Sequence, residues 1–381
     1  MDSQRVSSLH ERIRGAPSSG NGAAAQEARE VTLPARNGDV VGSADYVVTV
    51  GFGTPKKNQT VIFDTGSSIC WIQCQPCVGS CYDQQEPIFD PSSSSSYRNI
   101  SCSSDACRAL PSNGCSGGTC LYSVHYGDSS ATVGFLGTEQ LTLATGFVFP
   151  NFVFGCGERN EGLFTGIAGL IGLSRSPFSL PTQASQTLGS NVFSYCLPGP
   201  RRPAGKLTVG GSPSAAAAYT PMLSNAQEPT LYFLNLIGIS VGGHPIPVAP
   251  TVFQSGTIID SGTVITRLPP AAYSALRTAF RRAMAQYPPA EPADLLDTCY
   301  DLSSVKNILV PAITLHYDGA NVPLEPTGVL LAVEEGQVCL AFAGNEEPSD
   351  VAIIGNVQQR GMEVIYDISA KQIGFAAGAC S

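Results

Sequence analysis

Apolar residues fall in short runs rich in Val, Ile, Thr, Phe and Tyr, broken by Gly, Pro, Asn and Ser. Long helical periodicity is rare, so the pattern predicts a mostly β chain. Strands are expected at 46–50, 60–64, 121–126, 147–154, 207–209, 232–241, 257–260, 313–317, 338–343, 352–354 and 362–366. The single long helix predicted is 270–286, with Pro near its start and Tyr273, Leu276, Phe280 and Met284 on one face. A shorter helix is expected near 179–188. At the N-terminus Val6, Leu9 and Ile13 lie at helical spacing among charges. A Gly/Ala/Ser-rich stretch over 15–25 then reads as flexible.

Two stretches stand out because they match. Thr60-Val61-Ile62-Phe63-Asp64-Thr65-Gly66-Ser67-Ser68 drives an apolar strand into an Asp, with a small-residue turn directly after it. Thr257-Ile258-Ile259-Asp260-Ser261-Gly262-Thr263-Val264 does the same. A continuous apolar run reads as a strand buried on both faces, where an ionised carboxylate is costly. One such Asp is ordinarily a turn residue; two matched copies are harder to explain structurally. Roughly a hundred residues after each Asp comes an apolar pair followed by Gly: Leu170-Ile171-Gly172 and Ile353-Ile354-Gly355. Features recurring in one order suggest internal duplication. The expected organisation is a pro-segment remnant or flexible tail (1–41), an N-terminal β lobe with a cysteine-rich insert (42–198), a linker (199–205) and a C-terminal β lobe (206–381). Each lobe would present one Asp to a shared cleft.

Length and composition agree with this division. The 381 residues suffice for about two domains. Charged residues make up 13% and the formal net charge is −9, with no basic tract. That balance is poorly suited to a phosphate backbone, so no nucleic acid is expected, and it suits a protein working in acid. No apolar run is long enough to span a bilayer, so no membrane partner is expected. Thirteen cysteines favour an oxidising compartment, and the odd count leaves a thiol unpaired. Asn58-Gln59-Thr60 and Asn99-Ile100-Ser101 are glycosylation acceptor triplets. The N-terminus carries no apolar signal-peptide core. A secreted, apoplastic or vacuolar location, with the signal peptide absent from this chain, is therefore expected in preference to the chloroplast.

Two carboxylates brought close by pseudo-symmetry cannot both ionise easily; they share a proton over a window of acidic pH. Such a pair can hold a water, one member taking its proton while the other protonates a substrate carbonyl oxygen. Amide hydrolysis by this route needs no covalent intermediate, no metal and no cofactor. Small residues after each Asp allow the loops to approach. Four histidines and the absence of a G-x-S-x-G elbow argue against other hydrolytic schemes.

With these loops, the later apolar pairs and a Tyr-Gly turn between them, the chain resembles the pepsin-like aspartic proteases. CWIQCQPC, FGCG, GLIGLSR, FSYC and IIDSGTVITRLPP narrow the resemblance to the plant nepenthesin-like branch, the atypical plant aspartyl proteases. It covers about residues 45–381. It implies an all-β bilobal fold and a monomeric, acid-active endopeptidase made as a zymogen, with polypeptide substrates. By position it implies Asp64 and Asp260 as catalytic, Thr65 and Ser261 as hydroxyls locking the loops together, and Ser67 and Thr263 as groups bonding the carboxylates. Gly66 and Gly262 complete the dyad loops. Tyr126 and Gly127 match the flap that closes over substrate, and Trp71 the residue positioning that tyrosine. Taken singly, Trp71 also reads as core, Tyr126 as a strand aromatic, and Ser67 and Thr263 as turn residues. Ser129 departs from the family's second flap Gly and strains the tip if φ > 0 is required there.

The cysteines read as disulfides rather than zinc ligands, since no His lies in the insert and the spacing is uneven. The resemblance implies the pairs Cys74–Cys77, Cys81–Cys156, Cys102–Cys120, Cys107–Cys115, Cys196–Cys380 and Cys299–Cys339. Cys70 remains as a buried thiol. Two rivals stand beside the protease reading: a non-catalytic binding or inhibitor protein on the same fold, and a DNA-associated, nucleoid-type protease.

Overall fold

The computed structural model describes residues 2, 5, 6, 29–164, 166–200 and 204–380. Strands dominate, and the duplication seen in the chain is also a duplication of topology. In the N-terminal half, Lys57–Asp64 runs parallel to Gly169–Gly172, so that Asp64 lies opposite Gly172. Gly169–Gly172 pairs in turn with Trp71–Gln73, which lies parallel to Phe147–Glu161. The C-terminal half repeats the scheme. Thr257–Ile259 runs parallel to Ala352–Ile354, which pairs with Thr266–Leu268, itself parallel to Phe342–Gly344. Both Asp strands are sandwiched between neighbours and buried on both faces, as their unbroken apolar runs require.

The halves meet through one sheet. Val192–Cys196 pairs with Met362–Asp367 at its centre; Gly205–Gly210 and Glu30–Asn37 extend one side, Gln372–Ala377 and Ala218–Pro221 the other. Glu30–Asn37 corrects the expected tail over 1–41. Its alternation buries Val31, Leu33 and Ala35, and a strand that buries one face is paired rather than free. Leu9, Ile13 and the 15–25 stretch lie outside the described residues. The expected linker also ends earlier, because Gly205 already opens a strand. A stacked Phe193 and Tyr366, with Tyr195 and Tyr232 beside them, fills the space under the sheet. Burying aromatic side chains of this size contributes roughly 1.5–3 kcal/mol each.

The long helix is Pro270–Ala283, with Tyr273, Leu276 and Phe280 buried. It stops three residues short of the expectation, yet Met284 remains fully buried. The short helix is Leu180–Leu188, ended by Gly189 at φ 67°, a left-handed conformation that glycine adopts without penalty. The predicted strand over 232–241 divides into Phe233–Leu234 and Leu236–Val241.

Four of the implied disulfide pairings are corrected. The bonds are Cys74–Cys156, Cys77–Cys81, Cys102–Cys115 and Cys107–Cys120, together with Cys196–Cys380 and Cys299–Cys339. Cys74 follows the strand that runs parallel to the Cys156 strand, and its N–H bonds Gly157 O, so the buried partner is across the sheet rather than three residues on. In the insert, burial sorts the bonds: Cys107 and Cys120 share an apolar cluster with Leu110 and Tyr122, while Cys115 is exposed. Cys70 is the free thiol among the described residues; it is buried, and burial pushes its pKa up to about 12.

Candidate active site

Asp64 ends its strand and Asp260 directly follows its own, and both are essentially inaccessible (0% and 1%). The two loops are tied to each other by reciprocal bonds. Thr65 N–H donates to Ser261 Oγ (3.1 Å), and Ser261 N–H donates to Thr65 Oγ1 (2.9 Å). Within each loop the pattern repeats. Ser67 Oγ donates to Asp64 Oδ2, and Thr263 Oγ1 donates to Asp260 Oδ2 at 2.6 Å. Gly66 N–H reaches Asp64 Oδ1 (2.9 Å) and Gly262 N–H reaches Asp260 Oδ1 (3.3 Å). Both glycines are required by close approach. A Cβ on Gly66 would lie 2.6 Å from Asp260 Oδ1, and one on Gly262 would lie 2.4 Å from Asp64 Oδ1.

A third charge sits on the pair. Arg5 Nη2 lies 2.6 Å from Asp64 Oδ2, and its Nε lies 3.3 Å from Asp260 Oδ2. Asp2, one helical turn earlier, is held by Val264 N–H (2.7 Å), Ile265 N–H (3.2 Å) and Arg267 Nη2 (2.9 Å). Val6 is buried with Leu231, Phe233, Ile258, Val351 and Ile353. Sequence reasoning gave none of these three residues an individual role, because nothing in a lone Arg or Asp marks a partner that lies 59 to 265 residues away.

Burial and these charges set the acidities. Burial raises Asp64, and neighbouring Asp260 adds to this against the opposing pull of Arg5. Asp260 is buried equally, but Arg5 and the Thr263 hydroxyl outweigh burial and hold it below the usual range. A single proton shared by the pair therefore rests on Asp64. Asp45, also facing Arg5, is pushed up to about 7, mainly by burial.

The residues expected to form a flap lie on the hairpin of Thr119–His125 and Ala131–Ala144. Tyr126 sits at its tip, and Trp71 Nε1–H donates to Tyr126 OH at 2.7 Å. Trp71 is fully buried in the apolar cluster beneath this hairpin, with its indole N–H turned to that hydroxyl. Gly127 is half-buried and Ser129 exposed at φ 67°, the left-handed conformation that the missing glycine would favour. Asp128 steadies the turn by accepting from Ser130 N–H (3.0 Å) and Ser130 Oγ (2.9 Å). His125 is exposed.

Arg5 divides the groove. On one side is a cavity of 410 Å³ lined by Ile62, Tyr126, Phe164, Leu170, Val264 and Leu296. On the other is a cavity of 560 Å³ lined by Ser67, Ile69, Leu110, Gly127, Phe178 and Thr230. Both walls are mainly apolar, and both cavities reach Arg5. No cluster of His, Cys, Asp and Glu suited to a metal is present among the described residues.

Two β lobes related by pseudo-symmetry, each giving one buried Asp to a common groove beneath a hairpin flap, define a pepsin-like architecture. Residues 46–211 match the profile described as xylanase inhibitor N-terminal, and 231–377 the one described as xylanase inhibitor C-terminal. An aspartyl protease family protein of Arabidopsis thaliana is 46% identical over all of this chain and 81% of its own length. Aspartic proteinase nepenthesin-1 of Nepenthes gracilis is 36% identical over 89% of this chain and 79% of its own. The chain belongs to the plant pepsin-like aspartic protease family, with nepenthesin-1 among its relatives. The fold is shared more widely. The structures of edgp (TM-score 0.76, 19% identity, 93% of this chain and 96% of that one) and of basic 7S globulin from soybean (0.72, 21%, 92% and 96%) have it.

Proposed function

We propose that this protein is an aspartic endopeptidase whose Asp64–Asp260 pair activates water against a peptide bond, and that the chain is a zymogen held shut by Arg5. The observation that carries this reading is the mirrored pair of buried carboxylates, with Arg5 standing where the attacking water and the scissile carbonyl would sit. With Arg5 withdrawn, one carboxylate of the pair, ionised, takes a proton from the water while the other, protonated, gives one to the substrate carbonyl oxygen. Tyr126 and the flap close over an extended polypeptide, and the apolar walls take its side chains. No metal or cofactor takes part.

Acid is the natural trigger. Arg5 is attracted fully while its carboxyl partners are ionised, above their folded pKa values, and the attraction is lost as pH falls through them. Asp45 protonates near 7, Asp64 is raised as well, and Asp260, held low, protonates last. Asp2 is raised by burial as well, so the second anchor loosens in the same direction. A secreted or vacuolar setting is supported by six disulfides and by the exposure of Asn58 and Asn99, both open to glycosylation.

The test is digestion of an unfolded protein across about pH 3 to 7, with and without pepstatin, by the full chain and by its Arg5→Ala variant. The expected result is acid-dependent, pepstatin-blocked cleavage that begins at higher pH in Arg5→Ala. A folded Arg5→Ala chain that cleaves nothing at any pH would sink the protease reading. It would favour the rival of a non-catalytic inhibitor, which the description of the matching profile supports.

A further inference from the structure

Three fully buried tyrosines pack on one another: Tyr195 and Tyr366, from the two central strands of the sheet between the lobes, and Tyr232. Their hydrogen bonds lead to both Asp loops. Tyr232 O accepts from the N–H of Ile259, the residue before Asp260, at 3.1 Å. The Tyr232 hydroxyl donates to Leu173 O (2.7 Å), and Leu173 N–H donates to Asp64 O (2.8 Å). One side chain thus spans from the strand of one Asp to the peptide that supports the other. Tyr195 crosses in the opposite direction. Its ring lies against Phe63, the residue before Asp64, with centroids 5.9 Å apart, and its hydroxyl donates to Gln359 Oε1. Gln359 Nε2 then donates to Asp260 O (3.2 Å) and Ile354 O (2.9 Å). An amide oxygen only accepts, so the Tyr195 proton goes to Gln359, and Tyr366 is the donor in the 2.8 Å bond between the two tyrosine hydroxyls.

Packing alone does not call for these hydroxyls, since Phe193 stacks on Tyr366 in the same cluster without one. A buried hydroxyl is costly unless bonded, and here each is bonded on a path between the Asp loops. We infer that Tyr232 and Tyr195 are positioning residues for the Asp64–Asp260 pair, crossed struts that hold the two carboxylates at the spacing at which they act on one water. The inference rests on the reading of the pair as catalytic and adds to it residues that touch neither carboxylate. A tyrosine has two side-chain torsions, so one pinned at its ring and its hydroxyl fixes a distance as a longer, flexible side chain could not. Without the hydroxyl, Leu173 O or Gln359 Oε1 loses a donor in a place water does not reach, and the Asp carbonyl it supports is free to shift. Carboxylates that move apart interact less, so their two proton-binding steps draw together.

The test uses the full chain with Arg5→Ala as parent and adds Tyr232→Phe, Tyr195→Phe or Tyr366→Phe. Pepstatin titration counts the working sites, so a loss of folded protein does not enter kcat. Tyr232→Phe and Tyr195→Phe should each lower kcat roughly ten- to a hundredfold, with KM within about twofold. The acid and alkaline limbs of the pH profile of kcat/KM should also approach each other, each apparent proton dissociation constant moving by about threefold or more. Tyr366→Phe leaves the bonds to Leu173 and Gln359 in place and should act in the same direction by less. The groups facing the pair besides Arg5 are Asp45, Tyr126 on the hairpin, and Tyr195 and Tyr366. Burial keeps the tyrosines from ionising in acid, and Asp45 is common to parent and variants, so a difference between them belongs to the pair. Tyr317→Phe is the control. Tyr317 is buried and stacked on Phe375, its hydroxyl has no hydrogen-bond partner among the described residues, and its loss should move neither kcat nor the limbs. An unchanged kcat and profile in all three variants, or changes that Tyr317→Phe reproduces, overturn the struts and leave the protease proposal standing. So does failure of all three to fold, because the hydroxyls then serve the fold and not the spacing. A parent that cleaves at no pH overturns both.

Discussion

The two Asp loops share a motif, a strand topology and a pattern of hydrogen bonds, yet they are not equivalent. The carbonyl of Asp64 accepts from the backbone N–H of Leu173 (2.8 Å). The carbonyl of Asp260 is held instead by a side chain, Gln359 Nε2 at 3.2 Å, and Asn356 Nδ2 supports Ser261 O from the same short helical turn, Asn356–Gln359. Gln359 also bonds the Tyr195 hydroxyl and so ties the floor to the sheet between the lobes. Above the loops the contrast widens. The N-terminal lobe contributes the flap with Tyr126, and the C-terminal lobe contributes the donors that grip Asp2. The acidities diverge too, Asp64 raised mainly by burial and Asp260 held low by Arg5 and the Thr263 hydroxyl against the same burial. Duplication thus sets the geometry of the pair, and the unduplicated surroundings decide which carboxylate keeps the proton.

The strongest way to break this comparison is to remove one carboxylate at a time. Asp64→Asn and Asp260→Asn should each lower kcat/KM on an unfolded protein by about 10²–10⁴-fold, the range for a positioned acid or base, with far-UV circular dichroism unchanged. Substantial activity in either variant would mean the pair does not act as a unit. The next effect is on stability and probes the symmetry itself. Thr65→Ala and Ser261→Ala each strip a buried N–H of its acceptor, and each should cost about 1–3 kcal/mol in chemical denaturation. Because the two bonds form one reciprocal lock, the double variant should cost less than the sum. Unequal single costs would show that Gln359 and Asn356 carry more of the C-terminal loop than the lock does. The smallest effect belongs to the flap, which has no counterpart in the other lobe. Ser129→Gly relieves a left-handed residue worth about 1–2 kcal/mol and returns part of that as chain entropy when unfolded. A stabilisation of less than about 1 kcal/mol is therefore expected.

Much of this was legible from residue order alone. Two apolar runs ending in Asp, and two later apolar pairs ending in Gly, were enough to anticipate paired lobes, because a strand buried on both faces must be flanked on both sides and its terminal residue placed at an edge. Tyr126 and Trp71 entered only through resemblance to a family, since a single Tyr or Trp has no pattern of its own. The long helix was visible in its apolar face; its end was not, because Met284 stays buried after the helical hydrogen bonding stops. The Glu30–Asn37 strand was missed although Val31, Leu33 and Ala35 alternate, because the low-complexity stretch before it dominated the reading of the region.

The chain by itself determined the lobes, the pair of Asp loops and the supply of cysteines, because each is written in local patterns of apolar, small and sulfur-bearing residues. Tertiary structure alone decided which cysteines join, since four of the expected pairings gave way to partners selected by strand register and burial. It alone decided that Arg5 would lie on the carboxylates and Asp2 on Arg267. Charge attraction is indifferent to sequence separation: a partner is whatever the fold brings within a few ångströms in a place water does not reach.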